Sequence, residues 1–120
     1  LVPGLLHSVN PYVLSQNRPV FALNKRTLCR LESPDFGQVL LMEVGAIGVG
    51  SIVQTAQAGA EVARGDEKGY FKFGGSTTLF FVEQGRIEFE ETVLRNSQAG
   101  VETFVRMGEC IATAARPSQP

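Results

Sequence analysis

A chain of 120 residues with 43% hydrophobic and 19% charged side chains can pack one domain and is too apolar for general disorder. Its net charge of −1 lacks the Lys/Arg excess that a nucleic-acid backbone demands, so no nucleic acid is expected as a partner. Cys29 and Cys110 form no C-x-x-C pair and His7 is the only histidine. No zinc, dithiol or other metal site is therefore expected, and both thiols read as buried or incidental.

The chain opens at Leu1, with no charged-then-apolar leader after it, so no signal peptide is expected. Thirteen glycines and six prolines divide the chain into short segments rich in β-branched and aromatic residues. Those segments predict strands at Pro19–Leu23, Thr27–Leu31, Gln38–Val44, Ser51–Thr55, Tyr70–Phe73, Thr77–Val82 and Val101–Val105, with a last one at Glu109–Thr113. The longest near-apolar run, Val39 to Val53, is broken by Glu43 and glycines and is too short to span a bilayer as a helix. Any membrane contact is expected to be peripheral. The best helical window, Glu88–Asn96, is too short to stand alone. The expected fold class is mainly β with little helix, a barrel or sandwich resembling hybrid-motif (biotinyl- or lipoyl-like) barrels. The polar tail Ala115–Pro120 is expected to fray.

A weak internal repeat places Val62-Ala-Arg-Gly65-Asp66 beside Val105-Arg-Met-Gly108-Glu109. Each copy predicts a strand end followed by a turn, with Gly at a positive φ and the acid bonding the turn backbone. A lipoyl or biotinyl carrier would present a lysine at a hairpin tip, whereas Lys68 and Lys72 flank a strand. Gly45-Ala-Ile-Gly48-Val-Gly50 has G-x-x-G-x-G spacing with no helix pattern after it, which favours close strand packing over dinucleotide binding. Glu88, Glu90 and Glu91 read as a solvated acidic face rather than a metal or acid/base pair. Lys25, Arg26 and Arg30 form a small basic group around an expected hairpin, either plain surface charge or a contact for lipid phosphate.

The informative stretch is Gly65-Asp-Glu-Lys-Gly-Tyr-Phe-Lys-Phe-Gly-Gly-Ser-Thr-Thr-Leu79. It resembles the processing site of the phosphatidylserine decarboxylase family in its Gly-Gly-Ser-Thr form. Val9-Asn-Pro11, Asn24-Lys-Arg26, Phe36-Gly37, Val44-Gly-Ala-Ile-Gly-Val-Gly-Ser-Ile52 and the run from Asn96-Ser97 through Glu102-Thr103 to Val105-Arg-Met-Gly108 match in the same order. The resemblance covers nearly the whole chain.

That resemblance implies self-cleavage between Gly75 and Ser76, with Phe73, Gly74 and Thr77 as supporting motif residues. In the family the serine hydroxyl attacks the preceding carbonyl and β-elimination releases the upstream chain. Loss of ammonia then leaves a pyruvoyl group, a covalent cofactor that would form from Ser76. Gly75 leaves its carbonyl unobstructed, and the hydroxyl needs a neighbouring base. The implied reaction joins the phosphatidylserine amine to the ketone as a Schiff base and releases CO2 and phosphatidylethanolamine, the electron-sink chemistry of pyridoxal phosphate. Residues 1–75 and 76–120 would form two associated chains after cleavage, at a membrane surface and with a homo-oligomer as one arrangement. The family's upstream Asp and His-rich motifs are not found here, and His7 does not match the latter. The upstream part of such an enzyme is therefore read as missing, and residues 1–120 alone are expected to stay uncleaved and inactive. Rival readings are a pyruvoyl-dependent decarboxylase of free amino acids on the same scaffold and a non-enzymatic carrier-type or binding barrel.

Overall fold

The computed structural model describes residues 1–16 and 19–115, so most of the tail expected to fray lies outside the described residues. In chain order the elements are α1 (Pro11–Leu14), α2 (Val20–Leu23), β1 (Arg26–Ser33), β2 (Gly37–Val44), β3 (Ser51–Gln54), β4 (Gly69–Lys72), β5 (Thr77–Val82), β6 (Ile87–Phe89), α3 (Glu91–Gln98) and β7 (Ala112–Ala114). Strand β2 shows why such segments extend. Val39, Leu41 and Glu43 are buried, while Gln38 and Leu40 are exposed and Met42 is half-buried, the period-two alternation of a pleated strand.

The chain divides into two compact units, Leu1–Arg30 with Leu40–Phe81 and Leu31–Val39 with Val82–Pro120. The first unit contains the antiparallel pair β3–β4, registered from Ser51↔Lys72 to Gln54↔Gly69. It also holds most of the sheet ordered β1-β2-β5. Val20, Leu41, Val44, Ala46 and Val49 are its buried apolar side chains. The N-terminal segment zips onto the residues before β1 through Val2 N–H to the Arg26 carbonyl (2.7 Å), Leu5 N–H to Leu23 (2.9 Å) and Lys25 N–H to Leu5 (2.8 Å). Gly4 permits this approach, since a Cβ there would lie 2.4 Å from the Leu23 carbonyl oxygen.

In the second unit β6 and β7 pair antiparallel, from Ile87↔Ala114 to Phe89↔Ala112. Helix α3 comes after β6, with Glu91 in its first turn and Arg95 in its last, the arrangement the helix dipole favours. The Asn96 side chain then donates to Thr103 Oγ1 at 3.0 Å and holds the segment after the helix.

Several expectations are corrected. Pro19–Leu23 is not a strand. Pro19, with its φ of −76°, heads α2, and its carbonyl accepts from Ala22 (2.9 Å) and Leu23 (3.0 Å). A proline's fixed φ suits a helix start. Helix α1 is a further addition to the expected elements. Asn10 caps it by accepting from Tyr12 N–H at 2.9 Å, with Pro11 in the first turn. Val101–Val105 forms no strand, because Val101 N–H turns back to the Asn96 carbonyl (2.9 Å). The final strand is Ala112–Ala114 and not Glu109–Thr113, since Glu109 closes a turn on Arg106 (3.0 Å). The Glu88–Asn96 window, read as too short to stand alone as a helix, splits: Ile87–Phe89 pairs as β6 and helix α3 forms from Glu91 to Gln98.

The mainly β, helix-poor class stands. Among the described residues the strands form sheets of three, two and two strands, and none closes into a barrel. Both repeat copies are turns. Asp66 accepts from Ala63 N–H at 2.7 Å, and Glu109 accepts from Arg106 N–H at 2.8 Å. Gly65 and Gly108 take the expected positive φ, at 95° and 83°. The strand ends expected before them are not formed.

Candidate active site

Strand β4 ends at Lys72 and β5 begins at Thr77, so Phe73, Gly74, Gly75 and Ser76 make the connection. Phe73 has a φ of 68° and Gly74 one of 122°. Ser76 is half-buried, and its Oγ–H donates to the Val44 carbonyl at the end of β2. Gly75 is exposed, and a Cβ on it would meet nothing within 4 Å. A Cβ on Gly74 would lie 3.7 Å from Val49 Cγ2. Thr77 is half-buried, while Phe73 is 82% exposed with the Lys72 ammonium 5.6 Å from its ring centroid.

The acceptor of the serine hydroxyl is itself held on several sides. Gly45 N–H, in the same peptide unit as the Val44 carbonyl, donates to the Lys25 carbonyl at 2.8 Å. A chain of hydrogen bonds therefore runs from Ser76 through this peptide to Lys25, and bonds in series polarise one another. Asn24, fully buried, donates to the Gly45 carbonyl (2.7 Å) and the His7 carbonyl (2.8 Å) and accepts from His7 N–H (2.9 Å). The Lys25 ammonium closes the far end of the turn on the Gly50 carbonyl at 2.8 Å. The glycine-rich turn thus packs closely beside Ser76, as its spacing suggests. A Cβ at Gly45 would lie 3.1 Å from the Lys25 carbonyl oxygen.

A second cluster is not among the candidates the sequence offers. Glu43 is buried, and its Oε2 accepts from the Thr27 hydroxyl, from Gln54 Nε2 (2.7 Å) and from the Lys68 ammonium (2.7 Å). Lys68 also donates to Gln54 Oε1 at 2.6 Å. Burial alone would push the Glu43 carboxyl up, but the hydrogen bonds from Lys68, Thr27 and Gln54, with the Lys68 charge, hold it below its ordinary value. The signal in the sequence is a lone carboxylate within the apolar run Val39 to Val53. It carries no spacing that names its partners.

The remaining candidates are placed as follows. His7 is engaged through its backbone by Asn24. Lys25 and Arg26 are half-buried and donate to backbone carbonyls, Lys25 to Gly50 and Arg26 Nη1 to Ala22 (2.7 Å) and Asn24 (3.1 Å). Glu88, Glu90 and Glu91 are exposed, as a solvated face requires. Both cysteines are free thiols, and neither is buried: Cys29 is half-buried and Cys110 exposed. Among the described residues no group of His, Cys, Asp and Glu could hold a metal ion. No described helix is long and apolar enough to cross a membrane.

A hydroxyl aimed at a neutral carbonyl is oriented but not deprotonated, because an amide oxygen is a poor base near neutral pH. The site thus presents a positioned serine, an exposed glycine before it and a glycine-rich turn packed beside them.

Comparison with known proteins places these features. Residues 1–113 match the family model for phosphatidylserine decarboxylase. The chain is 46% identical over 112 residues to a phosphatidylserine decarboxylase proenzyme of Clostridium botulinum (strain Eklund 17B / Type B), covering 93% of this chain and 38% of that protein. It is 45% identical over 115 residues to the proenzyme of Chlamydia caviae, covering 96% of this chain and 38% of that one. Against the proenzyme of Chlamydia felis the identity is 46% over 110 residues, 92% of this chain and 37% of the relative. The chain thus spans well under half the length of these relatives. No solved structure matches it. With the family model matched over residues 1–113 and the Gly-Gly-Ser turn set against β2, the chain belongs to the phosphatidylserine decarboxylase family.

Proposed function

We propose that this chain carries the self-cleaving serine of a phosphatidylserine decarboxylase, and that Ser76 is the residue converted to its pyruvoyl group. The observation that carries this reading is the half-buried Ser76 hydroxyl, held against β2 directly after an exposed glycine. The residues fit the group, since position 76 has a hydroxyl for attack and an open peptide in front of it. In the cleavage, Ser76 Oγ bonds to the Gly75 carbonyl carbon while the Gly75–Ser76 amide bond breaks and its nitrogen gains a proton. The Cα proton of residue 76 is then removed and its Cβ–Oγ bond breaks, so the oxygen departs within the Gly75 carboxylate. Residue 76 finally exchanges its nitrogen for oxygen from water, releasing ammonia.

When formed, the pyruvoyl group supplies an electrophilic ketone that draws in the electron pair left by departing CO2. The chain's own contribution is positional. Residues 1–75 keep the strand that faced the serine, and residues 76–120 begin at the new terminus. The two pieces stay associated through the β1-β2-β5 sheet. The name of the relatives favours phosphatidylserine over a free amino acid as substrate. Peripheral attachment to a membrane surface, homo-oligomerisation and closure of the sheets into a barrel or sandwich belong to the same proposal. They concern the full-length protein.

Ser76→Ala in the full-length proenzyme is expected to abolish both cleavage and CO2 release from phosphatidylserine vesicles, read by intact mass and product analysis. CO2 release from that variant overturns the assignment. Turnover of free amino acids with none of phosphatidylserine moves the assignment to the amino-acid enzyme. A full-length chain that stays intact and inactive supports the binding-module reading.

A further inference from the structure

Phe73 breaks two rules that ordinarily decide where a phenylalanine sits. Its φ of 68° is in the left-handed region, which L-residues other than Asn and Asp seldom occupy. Its ring is 82% exposed and lies beside the Lys72 ammonium, so no burial offsets the backbone conformation. A residue held this way persists only where the surroundings impose it, and such positions cluster at functional sites.

The surroundings here are identifiable. On one side Lys72 is fixed by its pairing with Ser51. On the other, Ser76 is fixed to the Val44 carbonyl and Thr77 enters β5. Only Phe73, Gly74 and Gly75 join these anchored ends. Gly74, with a φ of 122°, takes part of the bend at little cost, while Phe73 takes the rest with a side chain present. Moving the Gly75 acyl group from the residue 76 nitrogen to its Oγ lengthens this three-residue link and takes the hydroxyl off the Val44 carbonyl. The constraint on Phe73 then disappears.

Resting on the reading that Ser76 is processed, we propose that Phe73 is a positioning residue for self-cleavage, whose left-handed backbone holds the Gly74–Gly75 link in a loaded conformation that breaking of the Gly75–Ser76 bond releases. Strain present in the intact chain and lost along the reaction raises the ground state relative to the transition state, which accelerates the step.

The test uses the full-length proenzyme with Phe73→Asn, Phe73→Gly and Phe73→Ala, following cleavage by intact mass. Asn and Gly accept a positive φ with little penalty, whereas Ala keeps a Cβ and removes only the ring. Phe73→Asn and Phe73→Gly are expected to cleave about tenfold more slowly than Phe73→Ala, which corresponds to about 1.4 kcal/mol in the activation barrier. In an uncleavable Ser76→Ala background, where Thr77 in β5 still anchors the far end of the link, adding Phe73→Asn is expected to raise the thermal midpoint. Slower cleavage with higher stability is the signature of lost strain, because a purely structural role would lower both. The proposal is overturned if Phe73→Asn cleaves as fast as Phe73→Ala, or if it lowers the midpoint. Failure of the unaltered proenzyme to cleave before its serine overturns the processing reading itself, a result distinguishable from either.

Discussion

At the scale of single residues, Glu43 ties the strand that receives the serine to the hairpin that delivers it. Its carboxylate joins Thr27 on β1, Gln54 on β3 and Lys68 just before β4. Glu43→Gln keeps the shape but places an amide donor among donors and leaves Lys68 without its counter-charge. The expected loss is about 2 kcal/mol, measured as a lower urea midpoint. The pH dependence has a definite sign. The folded carboxyl titrates below its ordinary value of 4.5, so its contribution is present above that value and fades as pH falls through the lower folded value. The unsubstituted protein is therefore expected to lose stability more steeply than Glu43→Gln on acidification below about pH 4.5, in denaturation midpoints recorded across that range.

At the scale of elements, the β3–β4 pair depends on a missing side chain. A Cβ on Gly69 would sit 2.2 Å from the Val53 carbonyl oxygen, a backbone atom that cannot swing aside. Gly69→Ala is expected to cost about 3 kcal/mol by prying the two strands apart. Cleavage should fall with it, because β4 leads into the turn before Ser76. Gly75→Ala makes the contrast. Nothing lies within 4 Å of that Cβ, and Gly75 is not among the positive-φ residues. Its stability should stay within about 0.5 kcal/mol of the parent. Denaturation midpoints of the two variants in a Ser76→Ala background separate fold from chemistry.

At the scale of the whole chain, buried apolar side chains are few. Val20, Val39, Leu41, Val44, Ala46 and Val49 are buried among the described residues, while large side chains such as Phe80, Phe104 and Met107 are 63%, 85% and 102% exposed. Exposed apolar surface on this scale favours association. Residues 1–120 expressed alone are expected to self-associate, seen by sedimentation. They are also expected to keep their intact mass after incubation at neutral pH, because the Ser76 hydroxyl donates to a backbone carbonyl, which is a poor base. Efficient conversion to two pieces would show that the chain carries its own base, with His7 the first to replace.

The sequence by itself determined the motif proposed as the processing site and most of the strands around it. Gly74-Gly75-Ser76 is contiguous, so the motif is readable without coordinates, and the turn residues around β2 and β5 mark those strands out. It could not determine what lies across from the serine. The Val44 carbonyl, the Asn24 clamp on Gly45 and the carboxylate joining Thr27, Gln54 and Lys68 all connect residues far apart in the chain, and no periodicity encodes such pairings. The strand expected at Pro19–Leu23 fails for the same reason. Apolar content alone does not separate a short helix from a strand, and the bonds to the Pro19 carbonyl decide it. The conformation of Phe73 was the least legible of all, since local propensity argues against it. Anchors on both sides of the turn impose it, and those anchors exist only in the folded chain.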